Sequence, residues 1–170
     1  MRRRRLPLAL LLLALAGLTC RARPPREGES DIPVQVELVG LDAQDSPVVV
    51  LKEEAGPRLL RIWIGPAEAQ SIALEKAERS SPRPNTHDLA TRLIDGLEGR
   101  LLKVVVSELR EGTFYAILFV ESEGRVVEID ARPSDAIAIA LRADAPIFVR
   151  AEVLEAAGEL GTPDGRGRAI

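Results

Sequence analysis

The order of strand-like and helix-like segments predicts an α+β fold: a single compact domain with an antiparallel or mixed β-sheet and three to four helices. Three observations carry this reading. β-branched apolar runs fall into two groups, at residues 33–64 and 101–130. Short turns bearing glycine link the runs within each group. The stretches between and after the groups are rich in Ala, Glu and Leu, which favour helix.

Residues 33–41 alternate, with Val34, Val36 and Leu38 against Gln35 and Glu37, the pattern of a strand with one wet face. After a turn at 42–47, residues 48–51 and 59–64 give two further strands joined through Glu53-Glu54-Ala55-Gly56-Pro57. Trp63 reads as a core or interface residue of the third strand. Gly65-Pro66 ends that strand and opens a helix over 67–79, with Glu68 complementing the dipole in its first turn. Ser80 to Pro84 carries two prolines and cannot continue the helix. A second helix runs from Thr86, the expected cap with Asn85 as its rival. Leu89, Ala90, Leu93, Ile94 and Leu97 form its apolar stripe, and Gly99 is its left-handed stop. Residues 101–109, 113–121 and a third run ending at Asp130 form a meander through Glu111-Gly112 and Glu123-Gly124. A third helix follows Pro133, a short strand lies at 147–149, and a short helix runs through Ala157 to a stop at Gly158.

Residues 1–20 combine arginines at positions 2–5, a short leucine-rich core and small residues, which reads as a secretory signal rather than a membrane span. Two fates fit the same residues. Ala14-Leu15-Ala16 fits signal cleavage, whereas Gly17-Leu18-Thr19-Cys20 resembles a lipoprotein box, with the lone Cys20 carrying lipid. The protein is expected to be exported to the periplasm or cell envelope, meeting membrane only through such an N-terminal lipid. Residues 21–31 read as a flexible tether, 32–158 as the folded domain and 159–170 as a disordered tail. One cysteine excludes an intramolecular disulfide, and Gly-rich phosphate loops and Cys/His metal spacings are absent from the sequence.

The net charge is −3, and loss of the four N-terminal arginines takes 23 basic residues to 19 against 26 acidic, or −7. A chain this acidic has no global field that attracts nucleic acid, so such binding needs a local basic patch or metal ions.

Two polar clusters stand out. Asp130-Ala-Arg-Pro-Ser-Asp-Ala-Ile-Ala-Ile-Ala-Leu-Arg142 reads as a strand passing directly into a helix. Ser134 is placed to cap it, and Arg142 suits the C-terminal end of the dipole. Asp130, Arg132, Ser134 and Asp135 would then surround a helix N-terminus, where free amides hold anions. Alternatively, these groups only brace the turn. Arg83-Pro-Asn-Thr-His-Asp88 puts His87, the single histidine, in the first turn of the preceding helix beside Asp88. Histidine suits proton transfer near neutrality, although neighbours on a helix point about 100° apart.

Ile62-Trp-Ile-Gly-Pro-Ala-Glu-Ala-Gln70, Arg83-Pro-Asn-Thr-His-Asp-Leu89, Glu111-Gly-Thr-Phe-Tyr-Ala116, the 130–142 segment and Ala145-Pro-Ile-Phe-Val149 together resemble the bifunctional nuclease domain family. The likeness extends from about Ile32 to Gly158. It implies an α+β domain that associates into homodimers or larger homo-oligomers. It also implies hydrolysis of phosphodiester bonds in DNA and RNA with little sequence preference. The exported N-terminus departs from the cytosolic form usual in that family.

Chemistry assigns the expected roles. His87, Asp88, Asp130 and Asp135 are the candidate catalytic residues, with His87 as general base. Arg83, Arg132 and Ser134 are the candidate phosphate ligands. Asp88, Asp130 and Asp135 supply hard oxygen donors suited to Mg²⁺ or Mn²⁺. The competing expectation is a non-enzymatic exported module that binds an anionic ligand or a protein partner.

Overall fold

The computed structural model describes residues 30–79, 81–161 and 168–169. Cys20, the signal segment and nearly all of the tether therefore lie outside the described residues. Three strands, β1 (Asp31–Leu41), β2 (Pro47–Glu53) and β3 (Arg58–Trp63), are followed by helices α1 (Pro66–Lys76) and α2 (Thr86–Gly96). The meander β4 (Arg100–Arg110), β5 (Thr113–Ser122) and β6 (Arg125–Ala131) leads into α3 (Pro133–Arg142), β7 (Ile147–Arg150) and α4 (Ala151–Ala157). In place of a wholly disordered tail from residue 159, β8 (Glu159–Leu160) pairs with β3 and β9 (Arg168–Ala169) pairs with β1.

All the described strands share one mixed sheet in the order β6-β5-β4-β7-β1-β2-β3-β8, with β9 beside β1 off this path. Every pairing is antiparallel except β4 with β7. The exception has a simple cause: the chain leaves the sheet edge at β6, crosses over β5 and β4 as α3, and returns as β7 between β4 and β1. That crossover needs a helix lying close to the sheet. Ala136, Ala138 and Ala140 are all buried and present only methyl groups, while Ile137 fills the space beneath. Full burial of Ile137 is worth about 1.5–3 kcal/mol. Val49, Leu51, Val104, Val106, Leu118 and Val149 form the matching sheet face, which the inside-outside alternation of the strands selects.

The tight connections are built from residues at positive φ. Both hairpins of the meander turn on Glu-Gly pairs, Glu111 (φ 50) with Gly112 (φ 77) and Glu123 (φ 51) with Gly124 (φ 72), the signature of a type I′ turn that matches strand twist. Three helices stop on an acidic residue in the left-handed region: Glu78, Glu98 and Asp144. After α2, Gly99 N–H donates to Ile94 O at 2.8 Å and Glu98 N–H to Asp95 O at 3.0 Å, the paired bonds of a Schellman stop. The left-handed residue is thus Glu98, not Gly99. Glycine at 99 serves another need, since a Cβ there would sit 3.0 Å from Ile94 O.

Two expectations about apolar residues are corrected. Trp63 is 56% exposed and lies on the surface, its indole N–H donating to Asp42 Oδ2 at 2.8 Å. On α2, Leu89, Leu93 and Leu97 are 54%, 56% and 74% exposed, and His87 is the buried residue of that helix. Ala90 and Ile94 of the stripe pack against the core, while its three leucines stay outside and polar contacts at the first turn help to fix the helix against its neighbours. No described helix is long and apolar enough to cross a membrane.

A carboxylate-bearing side chain in the left-handed region is strained relative to glycine by about 1–2 kcal/mol. Glu98→Gly is therefore expected to stabilise the fold by about 0.5–1 kcal/mol after allowing for the freer unfolded chain. Urea unfolding should show a higher midpoint with an unchanged slope.

Candidate functional site

The sequence feature that shapes the site is the α2 entrance. Asn85, rather than Thr86, is the N-cap: its Oδ1 accepts from His87 N–H at 2.9 Å and Asp88 N–H at 3.0 Å. Asp88 Oδ2 returns a bond from Asn85 N–H at 2.7 Å, closing a capping box. With the backbone so fixed, the roughly 100° step between adjacent helical residues sends His87 inward and leaves Asp88 facing α3.

The other two helices present polar stripes to this turn. On α1, Glu68, Ser71 and Glu75 recur at helical spacing and lie on one side. On α3, Arg132 stands at the N-cap, Asp135 in the first turn and Arg142 in the last. Between them runs a continuous chain of contacts. Glu68 Oε1 accepts from Arg132 Nη2 at 2.7 Å. Arg132 Nε donates to Asp135 Oδ2 at 2.6 Å, and its Nη2 to Oδ1 at 2.9 Å. Asp135 Oδ1 lies 3.1 Å from His87 Nε2, and His87 Nδ1 lies 2.8 Å from Ser71 Oγ. Arg142 Nη2 donates to Ser71 Oγ at 3.0 Å, and Arg142 Nε to Asp88 Oδ1 at 2.5 Å.

Donor counting fixes the histidine tautomer. A hydroxyl has one hydrogen and two lone pairs. Ser71 Oγ already accepts from Asn85 Nδ2 at 3.1 Å and from Arg142 Nη2, and neither of those groups can act as an acceptor there. Its own hydrogen is left for His87 Nδ1, so the ring carries hydrogen on Nε2 and directs it at Asp135. Asn85 cannot be turned to alter this, because its oxygen is fixed by the two cap bonds.

The electrostatics follow from the same contacts. Burial pushes the Asp135 carboxyl up, but the bonds from Arg132 and His87 outweigh it and hold the group below the usual carboxylate range. The Arg142 hydrogen bond holds Asp88 down in the same way, against desolvation. Arg132 is pushed further up by Asp135 and Glu68. The network is thus a chain of alternating charge, solvent-open at Arg132, whose side chain is 66% exposed, and closed at Arg142, whose side chain is 7% exposed.

Not every candidate residue joins it. His87, Asp88, Asp135 and Arg132 come together. Asp130 is exposed on the edge strand β6 opposite Ile117, Arg83 is exposed in the connection before α2, and neither has a bond to the network. Ser134 is buried at the second position of α3, but its hydroxyl makes no cap bond. Arg132, with extended backbone, is the N-cap instead.

The three candidate oxygen donors are not side by side: Asp130 is exposed on β6, apart from Asp88 and Asp135. Among the described residues, no three His, Cys, Asp or Glu side chains are grouped to hold a metal ion. The oxygens of Asp88 and Asp135 are already engaged by protein donors.

Glu68, Ser71, Asn85 and Arg142 are the participants that were not foreseen as site residues. Their signal was an i, i+3, i+7 polar stripe on α1 and an arginine one helical stripe below Asp135.

Comparison with known proteins agrees with the motifs. The profile of the bifunctional nuclease domain matches residues 49–160. The chain is 46% identical over 129 residues to an uncharacterized protein of Mycobacterium tuberculosis, an alignment covering 74% of this chain and 77% of that one. It is 36% identical over 115 residues to Bifunctional nuclease 1 of Arabidopsis thaliana, covering 64% of this chain and 34% of the plant protein. With Bifunctional nuclease 1 of Oryza sativa subsp. japonica it is 30% identical over 117 residues, covering 66% and 35%. The chain spans about a third of the length of these plant relatives. It belongs to the bifunctional nuclease domain family.

Ser71 is the junction of the network. Ser71→Ala strands two donors and leaves His87 Nδ1 without one, so it is expected to cost about 1–3 kcal/mol in urea unfolding. Arg83→Ala, at an exposed residue, should stay within about 0.5 kcal/mol of the parent.

Proposed function

We propose that this member of the bifunctional nuclease domain family hydrolyses phosphodiester bonds in DNA and RNA with little sequence preference. The observation that supports the reading is convergence. Three separate segments, residues 68–71, 85–88 and 132–135, each within or adjoining a family motif, put polar side chains into one network whose open end is a guanidinium beside a carboxylate.

In this reading Arg132 binds the scissile phosphate at the head of α3, with the Ser134 hydroxyl and Arg83 as further phosphate ligands. A water held at Asp135 attacks phosphorus. The new P–O bond forms as the P–O bond to the leaving oxygen breaks, the water proton passes to Asp135, and the leaving oxygen takes up a proton from solvent to depart as an alcohol. Asp135 is a weak base while Arg132 holds it. A phosphate that draws Arg132 away removes the partner that keeps its pKa low, so substrate binding itself raises its basicity. His87, with hydrogen on Nε2, orients Asp135 and shares the charge, a supporting role in place of the direct base expected from sequence. Asp130 lies outside this scheme, and Asp88 acts only through Arg142. No step is drawn through a divalent ion.

A second reading has its own support. The carboxylates of the network are all engaged by protein donors and the mature chain is acidic, as suits a non-enzymatic envelope module binding an anion or a protein. In both readings residues 1–20 carry the domain out of the cytoplasm, with release by cleavage after Ala16 or retention by lipid on Cys20.

Purified chain incubated with plasmid DNA and with RNA, with and without EDTA, separates the readings. Cleavage is expected, and Asp135→Asn and Arg132→Ala should each lower it about 10²-fold or more, the scale of a lost proton acceptor or charge clamp. Cleavage that survives both substitutions, or none by the parent, would count against the nuclease.

Self-association is part of the proposal, and the exposed apolar surface supports it. Val127 and Ile129 of β6 stand opposite the buried Val120 and Leu118 and share their sheet face, yet no helix covers them. The end of α2 lies beside Val120, since a Cβ on Gly99 would sit 3.4 Å from it. Leu93, Leu97, Val127 and Ile129 therefore flank one uncovered region, which a second copy would bury. Light scattering should show a dimer or larger assembly that Leu93→Lys with Leu97→Lys converts to monomer. A monomeric parent would refute this part.

A further inference from the structure

We infer that the groove between the end of α1 and the start of α2 binds a single unpaired nucleic-acid strand, an inference that takes the nuclease reading as its starting point and names the form of its substrate. The groove has a cavity of about 490 Å³, lined by Leu74, Arg79, Pro82, Pro84, Asn85, Asp88, Arg92 and Arg142 among others. Its floor is the closed end of the network: Asn85 and Asp88 flank His87 in the chain, so the groove runs up to the head of α2.

The charge pattern favours an anion along the rim. On the floor, Asp88 is held by Arg142 at 2.5 Å and Glu75 lies 3.8 Å from the same guanidinium, so those acids are compensated by a side chain that is itself 7% exposed. On the rim, the side chains of Arg79 and Arg92 make no hydrogen bond or close ion pair among the described residues; Arg92 acts on Asp88 only at longer range, and Glu78 is the one unpaired acid beside them. The lining as a whole is balanced, three acids against three arginines, but its two exposed guanidiniums hold no close acid, and in an otherwise acidic chain they are the groups a phosphate would meet first.

Shape and chemistry then choose the strand. A cavity of about 300–1,000 Å³ accommodates groups the size of small ligands. A duplex is read by elements that protrude into its grooves, whereas this surface is concave and offers none. No aromatic side chain lines it. Affinity must then come from the sugar–phosphate backbone lying between the arginines, with the Pro82 and Pro84 rings as apolar walls, which gives little base preference.

The test uses the full chain carrying Asp135→Asn, so that cleavage does not consume the probe, and a fluorescein-labelled 12-nucleotide DNA as single strand and as duplex. Anisotropy at fixed salt should give at least tenfold tighter binding of the single strand. Arg79→Ala with Arg92→Ala should weaken it about tenfold and reduce the salt slope by about 1–1.5, as two lost phosphate contacts require. In a background that keeps Asp135, the same arginine pair should leave turnover of bis(p-nitrophenyl) phosphate unchanged. Equal affinity for duplex, or binding indifferent to the arginines, overturns the groove assignment even if the small diester is hydrolysed. Arginine-dependent strand binding without diester turnover upholds the groove and defeats the nuclease reading instead.

Discussion

A serine hydroxyl only 4% exposed, between three helices, cannot be left with unmet hydrogen bonds, and that constraint organises the polar half of this molecule. Ser71 satisfies it by accepting from Asn85 and Arg142 and donating to His87. Each of the three partners comes from an element whose position the sheet alone does not dictate. The contact therefore does for the helices what side-chain interdigitation does for the apolar core. It specifies one arrangement, because a helix shifted by a residue would leave several buried donors unpaired.

The apolar architecture makes room for this. α3 must cross β5 and β4 to return the chain as β7, and its alanines let it lie low enough that Asp135 at one end and Arg142 at the other reach the first turn of α2 and the middle of α1. α2 buries little of its own apolar surface. Its anchoring is polar, through His87, Asn85 and Asp88, which is why its leucines remain on the outside. The element that completes the site is thus held by hydrogen bonds and ion pairs more than by burial, and α2 is also the helix that offers an uncovered face.

Much of the fold was legible from the chain. Alternating Val and Leu placed the strands, the Glu-Gly pairs placed both meander hairpins, and Pro66 and Pro133 placed two helix starts. What failed did so for local reasons. Gly99 drew attention from Glu98 because an acidic residue in the left-handed region runs against steric preference. Thr86 and Asn85 both read as caps, and it is the carboxylate at Asp88, three residues after Asn85, that makes Asn85 the member of the reciprocal pair. The α2 stripe has helical periodicity, but periodicity shows that a face is apolar and not that anything covers it. For the site, the sequence pointed to two helix entrances, and the fold brings them together. It missed Ser71 and Arg142, because a serine within an Ala- and Glu-rich helix and an arginine at a helix end both have ordinary explanations, and only the tertiary crossing of α1 with α3 gives them a shared partner. Asp130 opens the same motif in sequence, yet the chain there is still the edge strand β6, which sets it apart from the network.

The account rests on a single imidazole held between a serine and an aspartate with its hydrogen on one defined nitrogen. The chain contains one histidine, so long-range ¹H–¹⁵N NMR of the native protein near neutral pH reads that ring without ambiguity. Hydrogen on Nε2, with Nδ1 showing the shift of a hydrogen-bonded acceptor, is the predicted result. Hydrogen on Nδ1, or the averaged signals of a ring exchanging freely with water, would contradict the network from which the site is built.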